Sequence, residues 1–142
     1  MRILVTGSRK WKYRTVIAQA LAQTAGDAPP GEVTVVHGNN GNADMMADSE
    51  ARLLGFHVEP HDAHWDAPCI QYCKPGHRRR HEDGREYCPA AGNYRNQEMV
   101  DAGADICLAF YQPKEPCTGT NDCVNRCLRS GIKVRACGGE QP

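Results

Sequence analysis

Compact apolar runs alternate along this chain with apolar positions at helical spacing. Ile3-Leu4-Val5 is a short β-branched and apolar run that suits a strand buried on both faces of a parallel sheet. Tyr13, Val16, Ile17, Ala20 and Leu21 then recur at the spacing of one helix face, predicting a helix over 13–23 that the Gly/Pro cluster at 26–31 ends. A second strand follows at 33–36. Ala43, Met46, Ala47, Ala51 and Leu54 mark a second helix that stops at Gly55, a residue suited to a left-handed cap. Residues 56–60 read as a third strand, and His57 and Pro60 make it a poor central one. The rhythm breaks over 62–92. It resumes with a helix over 93–102 that buries Met99 and Val100, a strand over 105–110, a loop over 112–118, a helix over 119–129 and a last strand over 132–136. The tail, 138–142, has the composition of a disordered terminus.

Strands alternating with helices specify an α/β fold: a Rossmann-like, three-layer open parallel sheet of about five strands with helices on both faces. At 142 residues the chain is the size of one domain, 1–142, with an insertion at 62–92. In such a sheet, ligands bind at the carboxyl ends of the strands, and the polar turns of this chain fall there. Gly7-Ser8-Arg9 follows the first strand and offers a close backbone approach, a hydroxyl and a planar cation suited to phosphate. A helix soon after it would add free backbone N–H groups and a favourable dipole. A second turn, His37-Gly38-Asn39-Asn40-Gly41-Asn42, leads to Asp44, whose carboxylate suits ribose hydroxyls or the cap of its own helix.

The insertion has little apolar periodicity and three prolines, so it cannot order itself by burial. Cys69, Cys73, His77 and Cys88 offer three thiolates and an imidazole, the ligand kinds of a closed tetrahedral zinc site. Structural Zn2+ is therefore the expected cofactor, with His81 as a substitute ligand and no catalysis at the metal. The basic run Arg78-Arg79-Arg80 reads first as a solvated loop, with contact to nucleic-acid phosphates, and so a nucleic-acid-handling protein, as the lesser alternative. Cys107 reads as a small core side chain in its strand. Cys123 and Cys127, four apart on a helix, with Cys117 before and Cys137 after, are candidates for burial or for a second metal or redox site.

Charge narrows the partners. Lys plus Arg and Asp plus Glu both number 17, so no global field favours nucleic acid or an anionic membrane, and anion binding has to be local. No apolar run approaches membrane length and no leader pattern opens the chain, which predicts a soluble cytoplasmic protein without membrane or general nucleic-acid partners. A closed homo-oligomer, a dimer by default, is expected of such a domain.

With these residues in place, the chain resembles the YspA-type branch of the SLOG superfamily, the Rossmann-like group that includes the LOG phosphoribohydrolases and the DprA/SMF proteins. The resemblance is carried by Gly7-Ser8-Arg9 with Trp11, His37-Gly38 leading to Ala43-Asp44, Trp65, Arg95-Asn96 with Met99, Gly103-Ala104-Asp105, and Gly119-Thr120. It implies a crevice for a nucleotide or an ADP-ribose-like molecule, bound by Gly7, Ser8, Arg9, Trp11, Gly38, Asn39, Asp44, Arg95, Asn96, Gly119 and Thr120. Two departures stand out. Asn42 occupies a position where the family usually has glycine, and Thr118-Gly119-Thr120-Asn121-Asp122 keeps the phosphate turn in outline without the LOG glutamate. Binding of a nucleotide-derived small molecule is thus expected ahead of hydrolysis. N-glycosidic cleavage would need a carboxylate at the sugar, for which Asp44 and Glu98 are the candidates.

Overall fold

A computed structural model describes residues 1–66, 76–80 and 82–138. Its elements run β1 (Arg2–Gly7), α1 (Arg14–Ala25), β2 (Thr34–His37), α2 (Asn42–Leu53), β3 (His57–Pro60), β4 (Arg79–Arg80), β5 (Glu86–Tyr87), α3 (Ala91–Ala102), β6 (Ile106–Tyr111), α4 (Thr118–Arg129) and β7 (Lys133–Gly138). Five strands form one sheet in the order β3-β2-β1-β6-β7, every neighbouring pair parallel. The Rossmann-like α/β fold expected from the alternation of strands and helices is present, and β3 is an edge strand, where Pro60 leaves no central ladder incomplete.

Alternation along the central strands builds two cores. Ile3, Val5, Val35, Leu108 and Phe110 face the layer of α1 and α2, where they pack with Trp11, Ile17, Leu21, Ala43 and Ala47. Leu4, Val36 and Cys107 face the layer of α3 and α4, with Met99, Val100, Cys123 and Cys127. Because β1 is covered on both sides, Ile3, Leu4 and Val5 are all fully buried. That is why its sequence is a continuous apolar run rather than an alternating one. Each such side chain contributes about 1.5–3 kcal/mol through burial.

The insertion carries a short antiparallel hairpin, β4 paired with β5, in the otherwise parallel protein. Arg78 and Arg80 both lie against Glu86 (3.3 and 3.6 Å), so the basic run is partly neutralised within the hairpin. Cys69, Cys73 and His81, three of the expected metal-ligand candidates, lie outside the described residues, as does the tail beyond Gly138.

The order of strands reverses at β1, whose neighbours β2 and β6 lead the chain in opposite directions across the sheet. The end of β1 is held tightly there. Ser8 N–H donates to the Phe110 carbonyl (2.9 Å), while the carbonyls of Ser8 and Arg9 accept the first amides of α2, from Ala43 (3.3 Å) and Asn42 (3.0 Å). A Cβ on Gly7 would stand 2.7 Å from the Ala43 Cβ and 3.0 Å from Phe110 Cβ and carbonyl oxygen, so only glycine permits this approach. Gly7→Ala is expected to cost about 1–3 kcal/mol by overpacking, read as a lower thermal midpoint; an unchanged midpoint would mean that α2 shifts freely.

Candidate functional site

A crevice of about 450 Å³ opens at the carboxyl ends of β1 and β6, where the strand order reverses. That is the position and size of a small-molecule site in an open α/β sheet. Its floor is Thr6, Gly7 and Ser8 at the end of β1. One wall carries Gly38, Asn40 and Asp44, another Asn93, Arg95 and Asn96 of α3, and a third the residues 115–120 that open α4, while Trp65 stands at its edge.

Asp44 is the most unusual group in it. Its carboxylate is buried, Oδ2 accepts the Asn40 N–H (3.1 Å), and Oδ1 has no hydrogen-bond partner among the described residues. Burial raises its pKa to about 7, against the opposing pull of the Asn40 amide, of Arg95, of the nearby Gly38 amide and of Arg9. The side chain belongs to the first turn of α2, yet that helix does not use it as an N-cap, since its opening amides are taken by the Ser8 and Arg9 carbonyls. An unsatisfied buried acceptor is costly, and here it lines a cavity.

Three cations share the crevice with it. Arg9 is exposed and makes no salt bridge with a described residue, so its guanidinium is available to a ligand. Lys10 faces Glu115 across the mouth at 3.8 Å, a weak exposed pair. Arg95 is half-buried; its Nη1 donates to the Gly38 carbonyl and its Nε to Asn96 Oδ1 (3.0 Å). Burial lowers its pKa, while the Asp44 charge opposes that effect. Gly38 is what admits it: a Cβ there would lie 2.6 Å from Arg95 Cζ. His37, just before, is a framework residue. Nδ1 accepts the Asn39 N–H (2.9 Å), so the proton sits on Nε2 and is donated to Asp48 Oδ2 (2.8 Å), and burial lowers the imidazole pKa.

The helix starts that line the crevice include those of α4 and of α3, through Gly92 and Asn93, and α1 contributes none: α1 begins only at Arg14, with Tyr13 before it, outside the lining. Thr118, Gly119 and Thr120 form the first turn of α4, whose amides have no intrahelical acceptors. That turn has neither a side-chain cap nor an acidic residue, so nothing on the helix neutralises its positive end.

Of the residues expected at the site, Gly7, Ser8, Arg9, Gly38, Asp44, Arg95, Asn96, Gly119 and Thr120 line one crevice. Asn96 is buried and much committed, its amide nitrogen donating to Asp122 Oδ2 (3.1 Å) and the Gly119 carbonyl (3.3 Å), so it fixes α3 against the α4 turn. Trp11 is elsewhere: it is fully buried between Tyr13 and Phe110 and donates Nε1–H to the Tyr13 carbonyl (2.9 Å). Asn39 does not line the crevice; its Nδ2 donates to Asp62 Oδ1 (2.7 Å). Glu98 also lies outside the lining, 2.9 Å from His61 Nδ1, in an exposed network where His61 Nε2 meets Glu59 and Glu59 binds Arg2. Those hydrogen bonds outweigh burial and raise the His61 pKa, while Arg2, ahead of His61, holds Glu59 at about 2.

Lys10, Asn93, Trp65 and Glu115 line the crevice without having been singled out as ligand residues. Only Trp65 gave a signal in the sequence, as part of the family pattern. Its ring meets Tyr87 edge-on at 6.3 Å and its carbonyl accepts the Cys88 N–H (2.7 Å), so the insertion holds it in place. In that insertion Cys88 Sγ lies 3.5 Å from His77 Nε2. Zinc bonds of about 2.3 Å to sulfur and about 2.0 Å to nitrogen, at a tetrahedral angle, give an edge of about 3.5 Å, so these two ligands stand at the right separation to share an ion.

Comparison with known proteins agrees with this geometry. Residues 1–67 match the family described as YspA, cpYpsA-related SLOG. Over 138 residues the chain is 41% identical to the Gene 61 protein of Mycobacterium phage D29, covering 94% of this chain and 93% of that one. The chain belongs to the YspA, cpYpsA-related SLOG family. The matched segment of this SLOG protein carries Gly7 to Asp44 and Trp65, while Arg95 and the α4 turn come from beyond it. The DNA processing protein A of Streptococcus pneumoniae shares the fold, with a TM-score of 0.52 at 12% identity. That match covers 94% of the SLOG chain described here and 58% of the other. No helix among the described residues is long and apolar enough to cross a membrane.

The burial of Asp44 has a measurable consequence. Its proton is held more tightly in the folded than in the unfolded chain, so the contribution of Asp44 to stability is full below about pH 3.8 and declines as pH rises through about 7. Asp44→Asn is therefore expected to gain on the parent across that window, by a few kcal/mol as an order of magnitude, in denaturant titrations at pH 4 and pH 8. A pH-independent difference between the two proteins would show that Asp44 titrates normally.

Proposed function

We propose that this chain binds a nucleotide or an ADP-ribose-like molecule in the β1–β6 crevice, as a sensing, carrying or sequestering protein. The observation that carries the reading is Asp44 Oδ1, a buried acceptor without a hydrogen-bond partner among the described residues, in the same crevice as the uncapped first turn of α4 and the guanidinium of Arg9. The two ends ask for different chemistry. Asp44 suits a hydroxyl donor such as ribose, whereas Arg9, the Ser8 hydroxyl and the α4 amides suit phosphate. Trp65 supplies an aromatic surface at the edge, suited to a base. A single molecule with sugar, phosphate and ring satisfies all three.

Hydrolysis of an N-glycosidic bond is the second reading, and one observation favours it: a carboxyl group titrating near 7 inside a crevice is poised to exchange a proton. It would rest on Asp44, because Glu98 is turned to His61. For the insertion we propose a structural zinc held by Cys69, Cys73, His77 and Cys88, which would order the segment that carries Cys88 against Trp65.

Calorimetry with AMP, ADP and ADP-ribose tests the binding. Arg9→Ala and Asp44→Ala are each expected to weaken the best of these ligands about 10- to 100-fold, the equivalent of losing one charge-assisted hydrogen bond. Unchanged affinity in both variants would overturn the site assignment. Release of free base by the parent, abolished in Asp44→Asn, would replace binding by hydrolysis. Elemental analysis is expected to find one zinc per chain, lost together with thermal stability in Cys73→Ser; a metal-free parent of equal stability would remove the zinc.

A further inference from the structure

Beneath the crevice floor three thiols converge. Cys107 of β6 and Cys123 and Cys127 of α4 are each fully buried, and their three sulfurs lie within 4.8 Å of one another. Leu4, Val36, Met99 and Val100 surround them. A single buried cysteine is an ordinary small apolar side chain. Three sulfurs brought to one point from two elements make a donor set, because the one-turn spacing of Cys123 and Cys127 places both on the face of α4 that covers Cys107.

The geometry points to a cation site: we propose that Cys107, Cys123 and Cys127 bind one soft, thiophilic cation in trigonal three-thiolate coordination, with Cu(I) the biological ion of that chemistry. With metal–thiolate bonds of about 2.3 Å, sulfurs at the corners of a triangle stand about 4.0 Å apart, inside the observed limit. All three donors are soft, and soft thiolates select ions such as Cu(I). Zinc fits poorly, since it takes four ligands and the packed neighbours are apolar; the polar groups that reach Cys123 are the Thr6 hydroxyl, hydrogen-bonded with it, and the charge of Arg95. Binding is a substitution without electron transfer. Metal–sulfur bonds form, the three S–H protons pass to solvent, and Cu(I) stays in its oxidation state.

The test uses the full zinc-loaded chain, titrated anaerobically with Cu(I) buffered by a chromophoric chelator while its zinc content is followed. One equivalent is expected, with an X-ray absorption spectrum showing three sulfur neighbours. In the same zinc-loaded chain Cys123→Ala and Cys107→Ala, each checked for folding by circular dichroism, are expected to bind at least tenfold more weakly. Well under one equivalent, a shell of mixed nitrogen and sulfur, or undiminished affinity in a folded alanine variant would each overturn the site. Should both variants unfold, the absorption spectrum of the parent decides alone.

Discussion

The approach of β1 to the start of α2 is the constraint on which the rest of this structure depends. Gly7 has no side chain, so the backbone at the end of β1 lies against Ala43 and Phe110 at once, and the carbonyls of Ser8 and Arg9 are near enough to accept the opening amides of α2. That contact satisfies donors an isolated helix would leave open. It also frees Asp44 from capping its own helix and turns its carboxylate toward the cavity. Arg9 is placed by the same contact, because the carbonyl that holds Asn42 is its own. One close approach thus positions a carboxyl group and a guanidinium in one crevice.

The crevice is a balance of opposed charges kept apart by the framework. Asp44 and Arg95 share the cavity, and no salt bridge joins them; Arg95 is held instead by the Gly38 carbonyl and Asn96. Had they paired, the carboxylate would have been satisfied and its pKa kept low. Separation leaves one Asp44 oxygen without a hydrogen-bond partner among the described residues, while the exposed guanidinium of the crevice is that of Arg9. The α4 terminus adds positive potential from a third direction. Its mate in this arrangement, Asn96, spends its amide on holding the turn in place, so a residue expected to read the ligand acts through another element.

Some of this was legible in the chain and some was not, for reasons that follow from where each signal resides. Buried parallel strands announce themselves because both faces are covered: Ile3-Leu4-Val5 needs no partner to be recognised. Glycine turns at strand ends are likewise local. Trp11 illustrates the opposite case. An aromatic residue beside a glycine turn can stack on a ligand or fill the core, and what decided was the position of Phe110, about a hundred residues away in sequence and 5.3 Å away in space. Glu98 was placed beside Arg95 by helical spacing, which gives a face but not what the face meets, and His61 of the β3 edge claimed it. Lys10 and Glu115 come together across the mouth from loops that nothing in the sequence relates.

By itself, then, the sequence determined the class of fold, the order of its strands and helices, and the turns at the carboxyl edge where chemistry would gather. Those are properties of short segments, governed by apolar periodicity and by the backbone freedom of a few glycines. Only the tertiary structure decided that α4 rather than α1 presents its amides to the crevice, that Asp44 is buried with one oxygen lacking a hydrogen-bond partner among the described residues, and that Cys107 meets Cys123 and Cys127. Each of these depends on residues far apart in the chain being brought within a few ångströms, and on which groups desolvation leaves unpaired; both are set by packing of the whole sheet.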